Sequence, residues 1–174
     1  NLSYQSDTRI ITMQSNRELD VVVYGATGFT GRLVAEYLNN QYGVNGDVKW
    51  AMAGRSQAKL ESVRDEMGIS NDVPLIVADA ADMDSVNAMV LSSKVILTTV
   101  GPYQLYGNEL VATCAEHGTD YVDLCGEPAW MHQMIGAHSA AAEASGARIV
   151  FSCGFDSVPF DLGVLFLQQT AEQQ

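Results

Sequence analysis

Short apolar runs alternate along the chain with longer segments in which apolar residues recur every three or four positions. Runs of four to six residues that include several β-branched side chains are typical of buried strands in a parallel sheet. The predicted strands cover residues 21–24, 48–53, 75–78, 95–100, 121–124 and 148–152.

The segments between these runs have helical spacing and contain residues that begin or end helices. The first helix is predicted to bury one apolar face and to end at Gly43. That face consists of Leu33, Val34, Tyr37 and Leu38. The other predicted helices follow the N-cap residues Ser56 and Asp82 or cover residues 108–117, 129–144 and 156–169.

Strands that alternate with helices at this spacing form βαβ units and a parallel sheet. Because such crossovers are right-handed, we predict an α/β protein with a doubly wound parallel sheet of about six strands. The expected strand order is 3-2-1-4-5-6, which is the Rossmann arrangement.

The first strand is followed directly by a glycine-rich turn and a helix. In this order the free N–H groups and the positive end of the helix dipole face the turn, where a pyrophosphate can bind. Gly25 is predicted to allow the turn, Gly28 to admit a phosphate, and Gly31 to let the helix pack closely on the sheet. We therefore predict dinucleotide binding, with an ordinary tight turn as the alternative. The predicted binding residues are Gly25, Ala26, Thr27, Gly28, Phe29, Thr30 and Gly31.

The end of the second strand distinguishes between two dinucleotides. NAD favours a carboxylate there for its ribose, but this chain has Arg55 and Ser56, with Lys59 one turn later. An arginine can bind a 2′-phosphate through charge-assisted hydrogen bonds, so we predict NADP rather than NAD as the cofactor. The alternative is that Arg55 is a solvated residue at the start of a helix.

Two further strand ends supply candidate contacts, because ligands of open α/β sheets bind beyond the carboxyl ends of the strands. Asp79, after the third strand, is predicted to contact the adenine or else to be a turn residue before a helix. Gly101 and Pro102, after the fourth strand, are predicted to approach the nicotinamide ribose, and a structural turn is the alternative.

Composition narrows the possible partners. The chain has 174 residues, enough for one domain with a sizeable core, and a net charge of −12. Nucleic acid is not expected as a partner, because it requires basic patches. Three cysteines and no secretory signal favour free thiols in a reducing compartment, so we predict a cytoplasmic location. No apolar run is long enough to be a transmembrane segment.

The sequence assigns no catalytic residue and no metal site. Cys125 and Glu127 follow the fifth strand, but no histidine or lysine stands beside the cysteine to activate its thiol. We interpret Cys125 as a small buried residue and Glu127 as a helix-capping acid. Asp156 and Ser157 are likewise interpreted as helix caps. Hydride transfer requires no protein nucleophile, because the cofactor carries the chemistry.

Five motifs extend from the first strand to the end of the chain. They are V-Y-G-A-T-G-F-T-G over residues 23–31, A-G-R-S over 53–56, V-G-P-Y-Q-L-Y-G over 100–107, G-T-D-Y-V-D-L-C-G-E over 118–127 and G-F-D-S-V-P over 154–159. Together they resemble the N-terminal part of the saccharopine dehydrogenase-like oxidoreductases, in the branch that includes bacterial trans-acting enoyl reductases. The resemblance implies a Rossmann domain that binds NAD(P), followed by a larger substrate and dimerisation region.

We predict three parts of the chain: a loosely ordered leader over residues 1–17, a dinucleotide-binding domain over 18–160, and over 161–174 the start of a helix that leads to a substrate and dimerisation domain outside this chain. The leading hypothesis is the cofactor-binding half of an NADP-dependent oxidoreductase, inactive alone, with a small-molecule substrate and a homodimer expected of the longer form. The alternative is a non-catalytic Rossmann module that senses a dinucleotide or binds a protein partner, and the lack of a recognisable proton donor favours it.

Overall fold

The computed structural model describes residues 17–44 and 46–172. Of the predicted leader over residues 1–17, only Arg17 lies within this range. Its guanidinium donates hydrogen bonds to the backbone oxygens of Ser93 and His117 and to Thr119 Oγ1. Arg17 is therefore part of the folded domain rather than of a loose leader, and it joins the start of the fourth strand to the end of a helix.

The chain forms one parallel sheet with helices on both faces. The strands are β1 (Leu19–Tyr24), β2 (Trp50–Gly54), β3 (Leu75–Val77), β4 (Ser93–Thr98), β5 (Asp120–Asp123) and β6 (Ile149–Val150). The helices are α1 (Phe29–Tyr42), α2 (Gln57–Glu66), α3 (Met83–Ser92), α4 (Tyr103–Tyr106), α5 (Asn108–His117), α6 (Pro128–Ser145) and α7 (Val158–Ala171). Adjacent strands pair in parallel in the order β3-β2-β1-β4-β5-β6, which confirms the predicted fold class and strand order.

The sheet separates two apolar cores, because successive side chains of a strand point to opposite faces. Val23 of β1 packs with residues of α1 and α2, including Ala35 and Leu60. Val22, one position earlier, packs with residues of α3, α5 and α6, including Met89. Among the described residues, no helix has both the length and the apolar character needed to cross a bilayer.

The first helix buries only part of the predicted face. Gly31, Ala35 and Leu38 are buried, whereas Leu33 and Tyr37 are 52% and 59% exposed. Small residues lie against the sheet because they let the helix backbone approach it closely. The prediction was right for Leu38, and Val34 packs partly buried against the same core, but it was wrong for Leu33 and Tyr37, which lie on the neighbouring face.

Helix boundaries agree better with the sequence than strand boundaries do. Ser56 Oγ accepts a hydrogen bond from the Lys59 N–H, and Asp82 caps α3, both as predicted. Ser157 is the N-cap residue of α7, as predicted, but its side chain makes no capping hydrogen bond. β6 has two residues rather than five, as an edge strand with a single neighbour, and the four-residue helix α4 was not predicted.

Candidate cofactor site

A cavity of about 420 Å³ opens at the carboxyl ends of β1 to β4. β1 pairs with β2 on one side and with β4 on the other, so the cavity lies at the switch point of the sheet. Seven of the predicted site residues line it: Gly25, Thr27, Gly28, Arg55, Asp79, Gly101 and Pro102. The topology therefore brings together residues from four separate predicted segments.

The glycine-rich turn has little space for side chains at two of its three glycines. Gly25 has a φ of +92°, and a Cβ there would lie 2.7 Å from Thr99 Oγ1. At Gly31 a Cβ would collide with the carbonyl oxygen of Gly25 and lie 2.8 Å from the Cα of Ala26. Gly25 thus serves the turn and Gly31 serves the packing of α1 against it. At Gly28, by contrast, a Cβ would make only a van der Waals contact of 3.4 Å with the carbonyl oxygen of Gly25, and this exposed position opens to the cavity.

The N-terminus of α1 borders this open space. Its N-cap residue, Gly28, has no side chain to bond the free N–H groups, and the first turn contains no acidic residue. The first helical N–H groups have no acceptor within their own helix, and the helix dipole adds partial positive charge. Among the described residues, no side chain caps this end of α1, which leaves it able to bind an anion.

Arg55 and Lys59 add two positive charges to the same cavity. Both side chains are exposed, and neither takes part in an ion pair within residues 17–44 and 46–172. Two cations without carboxylate partners are notable in a chain whose net charge is −12. A group with a double negative charge can therefore bind there without displacing an existing salt bridge.

Asp79 has the turn role that the sequence offered, and its contact with the adenine stays a prediction. Its Oδ1 accepts a hydrogen bond from the N–H of Ala81 at 3.0 Å, as expected of a turn residue before a helix. Asp79 also lines the cavity, next to Tyr24. Burial raises the pKa of Tyr24, and the carboxylate of Asp79 raises it further, so Tyr24 keeps its proton at neutral pH.

Five predicted site residues do not line the cavity. Ala26 is fully buried and Gly31 is packed against the turn, whereas Phe29 is 83% exposed. Ser56 caps α2, and Thr30 lines a separate apolar hollow on the other side of α1. Apart from the exposed Phe29, these positions have packing, capping or a separate hollow in place of access to the cavity.

The sequence missed four residues of the cavity wall: Tyr24, Thr99, Val100 and Tyr106. Thr99 and Val100 were placed inside the fourth strand, which ends two residues earlier, at Thr98. Thr99 Oγ1 lies 3.3 Å from the carbonyl oxygens of Tyr24 and Gly25 and joins β4 to the turn. Tyr106 belongs to α4, which is too short to show helical periodicity in the sequence.

Cys125 and Glu127, which follow β5, make packing and capping contacts. Cys125 is buried, burial raises the pKa of its thiol, and its sulfur accepts a hydrogen bond from the N–H of Glu127, as expected of an unreactive core cysteine. Glu127 caps a helix as predicted, but the helix is α4, through the N–H groups of Tyr103 and Gln104. All three cysteines are free thiols. Within the described part of the chain, no group of three potential metal ligands occurs.

Comparisons with known proteins identify the family of the chain. Residues 21–150 match the family model described as the saccharopine dehydrogenase NADP binding domain. The chain is 50% identical over 149 residues to the trans-acting enoyl reductase of Mycobacterium leprae. This alignment covers 85% of the chain and 35% of that protein. It is 45% identical over 160 residues to the trans-acting enoyl reductase of Mycobacterium ulcerans, in an alignment that covers 91% of the chain and 38% of the relative.

A solved structure supports the fold alone. Saccharopine dehydrogenase (L-Glu forming) from Saccharomyces cerevisiae aligns with a TM-score of 0.56 at 17% identity, over 79% of this chain and 28% of that one. The chain thus spans little more than a third of the length of the relatives that it matches. The matches confirm the resemblance carried by the five motifs, and the matching family model confirms the prediction of NADP as the cofactor.

Proposed function

The chain belongs to the family of saccharopine dehydrogenase NADP-binding domains, and from this premise we propose that it is the cofactor-binding part of an NADP-dependent oxidoreductase. The cavity at the switch point carries the proposal. It joins an uncapped helix N-terminus to the cations Arg55 and Lys59. A dinucleotide phosphate ester presents two anionic groups, a pyrophosphate and a 2′-phosphate, and the cavity offers one positive feature for each.

The proposed complex follows from the layout of the cavity. The pyrophosphate lies against the first turn of α1, where Gly28 leaves space for it. The 2′-phosphate lies between Arg55 and Lys59, and the nicotinamide end extends toward Gly101 and Pro102. This direction places the adenosine beyond β2 and β3 and the nicotinamide beyond β4, as the switch-point rule requires.

The names of the relatives support an enoyl group as the substrate of the longer protein. When bound as NADPH, the cofactor supplies a hydride, and with one proton this reduces a carbon–carbon double bond. The residues of this chain bind and orient the cofactor. In our proposal the proton donor and the substrate contacts belong to the part of the longer protein that the chain does not span.

Helix α7 supports an extension of this kind. None of its residues is buried, and Phe160, Phe166 and Leu167 are each more than 60% exposed. Large exposed apolar patches mark interaction surfaces. We propose that the segment over residues 161–174 leads into a substrate region in the longer protein, and homodimer formation there stays a prediction.

Replacement of one cation tests the cofactor assignment. We expect Arg55→Ala to weaken NADPH binding by roughly tenfold, because a charge-assisted contact to the 2′-phosphate is lost. NADH lacks that phosphate, so its affinity changes by less than about twofold. Titration of protein fluorescence with each nucleotide measures both constants.

Lys94→Ala is the matched control, because Lys94 is also an exposed cation but lies at the start of β4, at the opposite edge of the sheet. It should leave both affinities unchanged. Equal loss of NADPH and NADH binding in Arg55→Ala would contradict the assignment of Arg55 to the 2′-phosphate. Wild-type protein that binds NADPH no better than NADH would contradict the choice of NADP at this cavity.

A non-catalytic module that senses a dinucleotide would give the same binding results. NADPH oxidation by the longer protein in the presence of an enoyl thioester separates the two functions. Turnover supports the oxidoreductase, whereas binding without turnover of any enoyl, carbonyl or imine substrate supports the sensor.

A further inference from the structure

Gly101 and Pro102 form the cavity wall beyond β4, and α4 begins immediately after them. Pro102, the N-cap residue of α4, makes no side-chain hydrogen bond to it. Glu127 supplies the cap from 24 residues away, where its Oε1 accepts from the N–H of Tyr103 at 2.7 Å. Its Oε2 accepts from the N–H of Gln104 at 2.9 Å. Both oxygens of one carboxylate are therefore bonded to the first turn of α4.

This carboxylate belongs in sequence to a different helix. Glu127 is the N-cap residue of α6, yet its side chain makes no capping hydrogen bond there. Its backbone N–H donates to the sulfur of Cys125 at 3.3 Å, which anchors the residue to the core. Glu127 thus joins the loop after β5 to the loop after β4. Hydrogen bonds from backbone N–H groups to a carboxylate are stronger than neutral ones, so this connection resists displacement.

The wall segment has further contacts that transmit this constraint. The hydroxyl of Tyr103 donates to the last carbonyl oxygen of β4 at 3.3 Å, and its ring lies 5.6 Å from that of Trp130. The N–H of Tyr106 donates to the carbonyl oxygen of Pro102 at 3.2 Å. Tyr106 also lines the cavity, so this hydrogen bond links it to the wall at Pro102.

We propose that Glu127 is a positioning residue for the part of the cavity that receives the nicotinamide half of NADP. The inference rests on the proposed function, in which Arg55 and the N-terminus of α1 hold the phosphates on the other side. Glu127 does not itself line the cavity, and it acts through the loop that begins at Gly101. Loss of its two hydrogen bonds releases the nicotinamide-side wall and leaves the phosphate side intact.

Two ligands separate the two sides of the cavity. NADPH contacts both, whereas adenosine 2′,5′-bisphosphate lacks the nicotinamide half. We expect Glu127→Ala to weaken NADPH binding by about tenfold and to change bisphosphate binding by less than about twofold. Glu127→Gln keeps the shape and one acceptor oxygen but turns an NH2 donor toward the second N–H group, so we expect an intermediate loss of about threefold in NADPH affinity. Isothermal titration calorimetry measures all of these constants.

Glu116→Ala is the matched control, because Glu116 is an exposed glutamate of α5 away from the cavity, and it should change neither affinity. If Glu127→Ala does not fold, as judged by circular dichroism, Glu127→Gln carries the test, with a smaller loss of NADPH affinity and no change in bisphosphate affinity as the expected result. Equal loss of both ligands, or no loss of NADPH affinity, overturns the role of Glu127. Failure of the wild-type protein to bind the bisphosphate overturns the proposed function instead.

Discussion

The two sides of the cofactor cavity are built in opposite ways. Beside β1 the wall is backbone, because Gly25 and Gly28 lack side chains and α1 packs on the turn through Gly31. Beside β4 the wall is held by side chains, since Glu127 and Tyr103 bond the loop from elsewhere in the fold. In our proposal the side that contacts phosphate consists of backbone without side chains, whereas the side that receives the nicotinamide is held in place by long-range hydrogen bonds.

The largest expected effect comes from adding a methyl group at Gly31, where α1 packs on the backbone of the glycine-rich turn. We expect Gly31→Ala to lower the free energy of unfolding by about 1–3 kcal/mol, because its Cβ collides with backbone that cannot move independently. This loss exceeds the gain of up to about 1 kcal/mol that alanine brings to a helix. Urea unfolding measures the difference.

Gly28→Ala is the matched control, with the same added group three residues earlier. The nearest atom to its Cβ is 3.4 Å away, so we expect a loss of less than about 1 kcal/mol in stability. Its methyl group faces the proposed phosphate position, so we expect NADPH binding to weaken by about tenfold. Equal affinity for NADPH in Gly28→Ala and wild type would contradict a phosphate at this turn.

The first helices of the chain and the last one also differ in what they bury. α1 and α2 bury side chains against β1 and β2, whereas α7, which follows β6, buries none. We expect this chain to self-associate as its concentration rises, and Phe160→Asp with Leu167→Asp to weaken the association at least about tenfold. Sedimentation velocity over a range of concentrations checks this.

The control for charge is Gln168→Asp with Gln169→Asp, which adds the same two negative charges to exposed polar positions of α7. It should leave the association unchanged if apolar contact drives it. A wild-type chain that sediments as a monomer at all concentrations would show that α7 does not associate in this chain.

The smallest expected effect is a change of stability with pH that depends on Asp123, at the end of β5. Asp123 Oδ1 accepts from the N–H groups of Cys125 and Ser152, and Oδ2 accepts from the Tyr121 hydroxyl. Burial nevertheless raises the pKa of Asp123. Because the folded-state pKa lies above that of the unfolded chain, the stabilising contribution of the protonated carboxyl is complete below the unfolded value, near 3.9, and is lost as the pH rises through the folded value.

Asp123→Asn cannot titrate and keeps the Oδ1 acceptor, so it isolates this effect from the other carboxylates. We expect the free energy of unfolding of the wild type, relative to Asp123→Asn, to fall as the pH rises from 3 toward 7. Urea unfolding at a series of pH values measures it. A difference that stays constant or grows with pH would show that hydrogen bonds to the carboxylate outweigh its burial.

Several features of the site follow from local sequence. The apolar runs predicted six strands and their order, and the glycine-rich turn was identified because strand, turn and helix are adjacent along the chain. Ser56 and Asp82 were recognised as caps because a cap bonds an N–H only two or three residues away. The strand ends that carry Arg55, Asp79 and Gly101 could be gathered into one site because parallel strands place their carboxyl ends at one edge.

Other features depend on contacts between segments that are distant in sequence, and local sequence patterns do not predict such contacts. The face of α1 that is buried was decided by how closely its backbone approaches the turn at Gly25, so Gly31 and Ala35 are buried in place of Leu33 and Tyr37. Glu127 was interpreted as a helix cap, but its carboxylate caps α4 because the loop after β5 lies next to the loop after β4. Spacing and turn residues act within a few positions and determine the elements and their order, whereas the partner of a side chain 24 residues away is decided by three-dimensional packing.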